Sequence, residues 1–224
     1  MNTFITGLKE LSKLVDEVEN GDSSGNKVNW LKMNPGQTAS IRFVNELDEE
    51  SPSYDDSRGL ALVAYEHTNP DDFRRKAVCT MESEGRCFGC EMNNRGKKGW
   101  YKKSRFYINL LFDDGVEEPR VVTWSMGVRR SQTFAMIREY AIETGSVSNL
   151  KWRLKRNGSG TDTTWTLLPT SPDVTPFDWS KVEVPNLESA LRQVPYSDQE
   201  QFYLAVKPEV KDPSEGVAES SITW

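Results

Sequence analysis

The sequence predicts a mainly β protein: a small Greek-key barrel with accessory helices and an inserted metal-binding subdomain. Three observations carry this. Short segments alternate apolar and polar residues with the period of strands. One strong helix signal falls before the last pair of strands. The single histidine and all three cysteines crowd into one 24-residue stretch.

Residues Thr6–Glu19 read as an amphipathic helix, with Leu8, Leu11, Val15 and Val18 on one stripe. Asn20–Asn26 ends it as a linker, so residues 1–28 form an N-terminal appendage. Strands follow at Thr38–Val44 and Leu60–Glu66, around an acidic loop. The metal segment occupies about His67–Lys103. Strands Arg105–Phe112 and Arg120–Ser125 come next, joined by a turn at Asp113-Asp114-Gly115. Ser131 is an N-cap for a helix through Glu143, with Gly145 as its C-terminal stop. Leu150–Arg156 and Thr163–Leu168 complete the strands. This order suits a small Greek-key barrel, the OB-fold, over residues 29–170. A Pro-punctuated extension with short helices spans 171–211, and Ser197-x-x-Glu200 has the form of a capping box. Residues 212–224 form an acidic tail expected to be disordered.

The ligand pattern is His67-x11-Cys79-x7-Cys87-x2-Cys90. Three thiolates and one imidazole suit one tetrahedral Zn²⁺. Four protein ligands leave no open position, so the ion is expected to be structural. Gly89 is expected to take the positive φ of a tight turn inside the Cys-x-x-Cys.

Alternation also assigns faces. In Arg105–Phe112, Phe106, Ile108, Leu110 and Phe112 point to a core, leaving Arg105, Tyr107 and Asn109 outside. Lys151, Arg153 and Lys155 share a face opposite Trp152 and Leu154. Trp152 and Trp165 are expected in the core. Upstream, Lys97, Lys98, Lys102 and Lys103 interleave with Trp100 and Tyr101; Arg129 and Arg130 follow the strand of Trp124. Cations that track phosphates, beside rings that stack on bases, are what single-stranded nucleic acid requires. The expected groove has Lys97–Arg105 as one wall, with Lys151–Lys155, Arg129 and Arg130 opposite.

Charge distribution agrees. The formal net charge is −6, and Ser171–Trp224 alone holds ten acidic against four basic residues. Asn45–Asp56 carries six carboxylates and no base, whereas Gly59–Pro169 has 18 basic and 13 acidic residues. A basic middle between acidic segments is a binding surface with competitors attached. Catalysis is not expected. Thr68 and Asn69 follow His67, and Arg86 precedes Cys87, so the His-x-Glu and Pro-Cys-x-x-Cys of zinc deaminases are absent. A phosphate loop is absent too. With one histidine, a Ser-His or Cys-His nucleophile would consume the expected zinc ligand. No apolar run approaches a membrane span, and three cysteines make no disulfide framework, so a cytoplasmic protein is expected.

On the His67…Cys79…Cys87-x-x-Cys90 set within an OB-like strand order, the basic-aromatic stretch Lys97–Tyr107 and the acidic C-terminus, the chain resembles the zinc-containing single-stranded-DNA-binding (helix-destabilising) proteins of tailed bacteriophages. The resemblance covers about Asn29 to Pro169, and more loosely the tail. It implies an OB-fold, one structural Zn²⁺, and sequence-nonspecific binding of single-stranded DNA in replication, recombination and repair, in the host cytoplasm. It also implies a tail, ending in Ile222 and Trp224, that contacts replication or recombination proteins. The ligand spacings depart from the best-known pattern. The N-terminal segment also lacks the basic character associated with self-association on DNA, since Lys9 and Lys13 face four carboxylates. Two other readings fit the residues: a zinc-stabilised protein adaptor, and an RNA-binding OB protein.

Overall fold

The computed structural model describes residues 28–170 and 177–204. The expected N-terminal helix, the acidic tail, Ile222 and Trp224 lie outside the described residues. The architecture is mainly antiparallel β. Seven strands form one sheet: β1 (Thr38–Phe43), β2 (Leu62–Thr68), β3 (Lys76–Val78), β4 (Lys103–Asp113), β5 (Arg120–Gly127), β6 (Trp152–Asn157) and β7 (Thr164–Pro169). The helices are α1 (Met81–Glu84), α2 (Phe88–Asn94), α3 (Gln132–Thr144) and α4 (Tyr196–Leu204), with 3₁₀ turns at Gly160–Asp162, Trp179–Lys181 and Leu187–Ala190.

The sheet runs β3-β2-β4-β1-β6-β7, with β5 also paired to β4. β4 is the pivot. Its first half pairs with β2 (Ala64 opposite Arg105), its second half with β1 (Ile41 opposite Phe112), and its other edge with β5 from Arg105 to Phe112. The inward residues expected from alternation are buried: Phe106, Ile108, Leu110 and Phe112 of β4, and Trp152 and Leu154 of β6. Trp124 of β5 meets Trp165 of β7 edge-on at 5.4 Å, so the inner faces of these strands share one core. Trp165 itself is only partly buried. Each fully buried Leu, Ile or Phe contributes about 1.5–3 kcal/mol.

α3 plugs this core with Ile137 and Phe134. Its ends follow the sequence signals. The Ser131 hydroxyl accepts from the Phe134 N–H at 3.1 Å, and Gly145 sits at φ 77° and donates to Ala141. After α3, the buried Glu46 carboxylate accepts from the Ser146 and Ser148 hydroxyls and from the Val147 and Ser148 N–H groups. Four donors make burial of that carboxylate tolerable, and they tie the helix exit to the end of β1.

Residues 177–192 lie over the outward face of the sheet. Asn109 Nδ2 donates to the Pro185 carbonyl at 2.8 Å, Leu187 packs with Ala64 and Tyr107, and the Val78 N–H donates to Arg192. Arg42 stacks on Phe177 and Arg58 on Trp179. β4 is therefore buried on both faces from Phe106 to Phe112.

Candidate metal centre and basic cleft

The metal segment gets its shape from the sheet. His67 is the last residue but one of β2, β3 leads into Cys79, Cys87 is the extended residue capping α2, and Cys90 lies in the first turn of that helix. The four ligand atoms lie within 4.8 Å of one another. Cys79 Sγ is 3.6 Å from Cys90 Sγ, and Cys90 Sγ is 3.3 Å from His67 Nε2. A tetrahedral ion with metal–sulfur bonds of about 2.3 Å and metal–nitrogen bonds of about 2.0 Å needs edges of about 3.8 and 3.5 Å, so this donor set fits and can hold a metal ion.

The Nδ1 atom of His67 lies 2.7 Å from the Trp100 carbonyl. A carbonyl only accepts, so Nδ1 carries the proton and Nε2 presents its lone pair to the cluster. Burial opposes ionisation at all three thiols. At Cys87 the adjoining His67 side chain and backbone bonds from Cys90 and Thr80 outweigh it, lowering the pKa to about 6. Burial, with Cys79 and Cys87 nearby, pushes Cys90 up to about 12, and burial also raises Cys79. A cation bound among the three would favour the ionised form of each thiol.

Gly89 corrects one expectation. Its φ is not positive. It is glycine because a Cβ there would lie 2.2 Å from Cγ of His67.

Two side chains of α4, more than 100 residues along the chain, hold the ligand-bearing segments in place. Gln199, fully buried, accepts from the Phe88 N–H at 2.9 Å and donates to Thr80 Oγ1 and the Val194 carbonyl. The Tyr203 hydroxyl donates to the His67 carbonyl, and its ring packs against Phe88 and Trp100. Sequence reasoning found this helix but not its task. Ser197 stands in its first turn rather than before it, and the hydroxyl donates to Asp198.

Three aromatic residues expected to stack on bases are buried instead. Trp100 is 4% exposed because its carbonyl must reach His67 and its ring fills the cluster with Phe88 and Tyr203. Trp124 is 3% exposed in the main hydrophobic core. Tyr107 faces outward as alternation requires, yet it is 0% exposed because Leu187 covers it. Its hydroxyl donates to the buried Glu66 at 2.5 Å, and Glu66 also lies 3.4 Å from Lys76 Nζ and 3.8 Å from Arg105 Nε. Burial first, then the Glu66 hydrogen bond and charge, hold the Tyr107 pKa well above 10.

The exposed ring is Tyr101, at 57%. It joins Lys102, Lys103, Arg105, Arg129 and Arg130 around a cleft of about 360 Å³ between the start of β4 and the end of β5. Lys103 Nζ sits 5.0 Å over the Tyr101 ring, and Lys102 Nζ 4.3 Å over Tyr65, an exposed ring that the sequence did not single out. Lys97 and Lys98 are exposed just upstream.

The wall expected from β6 stands elsewhere. Lys151, Arg153 and Lys155 are exposed as predicted, but Arg153 shares a row with Ser40 and Asp113. Asp113 is eight residues from Arg105, about 26 Å along β4. Arg153 lines a separate cavity with Asp113 and Asp114.

Comparison of the chain with family models, with curated proteins and with solved structures found no match. No described helix is long and apolar enough to cross a membrane.

Proposed function

We propose that this protein binds single-stranded DNA without sequence preference, through the cleft at the β4–β5 end, and that one structural Zn²⁺ braces that cleft. The observation that carries the reading is the company of Tyr101: an exposed ring among five cations, on the segment whose preceding residue, Trp100, holds the His67 ligand in place. Cations track phosphates, exposed rings stack on bases, and neither reads sequence. The metal's role is positional. Bound between three thiolates and an imidazole, Zn²⁺ supplies folding energy to a segment with few apolar residues of its own.

The strand order supports an OB-fold. β1 and β2 act as one interrupted first strand along β4, β5 follows, α3 intervenes, and β6 and β7 close the order. The metal segment is then an insertion within that barrel. On the resemblance to helix-destabilising phage proteins, the activity proposed belongs to replication, recombination and repair in a host cytoplasm, with partners met through the acidic tail and self-association on DNA as a further expectation. No catalytic role is proposed.

The test is a titration of fluorescently labelled oligo(dT) followed by anisotropy, with oligo(rU) and duplex of equal length alongside, at two salt concentrations. Binding to oligo(dT) that weakens with salt and greatly exceeds binding to duplex is expected. Equal or tighter binding to oligo(rU) moves the reading to RNA. Binding to none of the three leaves a zinc-stabilised protein adaptor.

A further inference from the structure

We propose that the cleft between β4 and β5 is a single-nucleotide subsite, in which Tyr101 takes the base and Arg105, Arg129 and Arg130 take the phosphate. This rests on the single-stranded DNA reading above and names where on the surface the first contact is made.

Three independent features point to it. The cleft's volume of about 360 Å³ falls in the range of small-ligand sites, and a ring more than half exposed stands at its side. Its charge is nearly unopposed. Among the described residues Lys102, Lys103, Arg129 and Arg130 have no ion-pair partner. Arg105 alone of the five is paired, through Nε with the buried Glu66 at 3.8 Å, a carboxylate it shares with Lys76 and Tyr107. Arg105, a lining residue of the cleft, is held in place by its guanidinium donating to Ser125 Oγ at 2.9 Å.

The third feature is backbone strain. Arg130 has φ 61°, the one non-glycine residue at positive φ among the described residues. Glycine fills the nine other such positions. Arg130 stands third in the turn Val128–Ser131, closed by the Ser131 N–H on the Val128 carbonyl, where glycine or asparagine is the ordinary residue. A left-handed conformation is costly for a residue with a Cβ, and strain of this kind collects at ligand sites. Nothing in the turn itself requires an arginine. Arg130 lines the cleft, which gives the strain a use.

The test uses the full chain with metal bound, comparing wild type, Arg130→Gly, Tyr101→Ala and Tyr101→Phe by anisotropy with labelled oligo(dT) over a salt series and by thermal melting. Arg130→Gly is expected to melt no earlier than wild type, to bind several-fold more weakly, and to show a log–log salt slope smaller by about one. Tyr101→Ala is expected to weaken binding about 5- to 150-fold with the salt slope unchanged, and Tyr101→Phe to restore it. Earlier melting of Arg130→Gly, or wild-type affinity in it or in Tyr101→Ala, overturns the subsite while leaving DNA binding intact. Failure of the wild type to bind oligo(dT) overturns the DNA reading and the subsite together.

Discussion

Gly89→Ala puts the metal centre under the sharpest test. In the interior of a short helix this change ordinarily stabilises, by about 0.5–1 kcal/mol. Here the new Cβ falls 2.2 Å from Cγ of His67, 2.6 Å from its Cβ and 2.7 Å from Cδ2. Carbon atoms pack at about 3.5–4.0 Å, so something must move by more than about 1 Å. The imidazole cannot simply swing aside, because its Nδ1 is held to the Trp100 carbonyl at 2.7 Å and the side chain is buried. Any shift carries Nε2 out of the cluster. Changes to residues that merely orient a ligand cost 10–100-fold in metal affinity, and displacing the ligand costs at least that, about 1.4–2.8 kcal/mol. The assay is competition for Zn²⁺ against a chromophoric chelator, with the Co²⁺ absorption spectrum as a check on the ligand set. Wild-type affinity together with a wild-type Co²⁺ spectrum in Gly89→Ala would refute the claim that His67 ligates from this position.

Three further outcomes are expected. Gln199→Ala strands the Phe88 N–H and removes a donor to Thr80, so it should destabilise the fold by about 1–3 kcal/mol and lower metal affinity from more than 100 residues away, both read by melting and chelator competition. Stripping the metal should remove hydrogen-exchange protection from residues 76–103 and 196–204 together while β6 stays protected; independent loss in the two segments would break the link through Gln199 and Tyr203. The Tyr107 phenol, its pKa raised above the usual 10, stabilises the fold fully below pH 10, and that stability drains as pH rises toward the folded value. Denaturant midpoints should therefore fall above about pH 10, and less steeply in Tyr107→Phe.

The strands and α3 were legible because local rules governed them. Trp152 and Leu154 alternate with Lys151, Arg153 and Lys155, and the structure buries the first pair and exposes the others. The capping signals at Ser131 and Gly145 act within one helical turn. The four ligands were legible because a lone histidine and three clustered cysteines have few other uses. What failed was the inference from outward-facing to exposed. Tyr107 and Asn109 do point away from the main core, but residues 177–191 cover them, and no local pattern reveals a cover about 76 residues downstream. Trp100 read as a stacking ring because it sits among lysines, whereas its neighbours in space are Phe88 and Tyr203. Gly89 was recognised as necessary for a turn, but the requirement comes from contact with His67. Tyr65 gave no signal, since its exposure follows from where β2 passes Lys102.

Burial of Trp100 and Trp124 also decides the readout, because buried indoles are poor reporters of a ligand in the cleft. The most direct measurement is an anisotropy titration of labelled oligo(dT) with metal-loaded and metal-stripped protein, run at one salt concentration where both remain soluble. Tight binding by the loaded protein, markedly weaker binding by the stripped one, and recovery when Zn²⁺ is restored are expected. Identical affinity in the two states, or no binding by either, would contradict the claim that a metal-braced cleft holds single-stranded DNA.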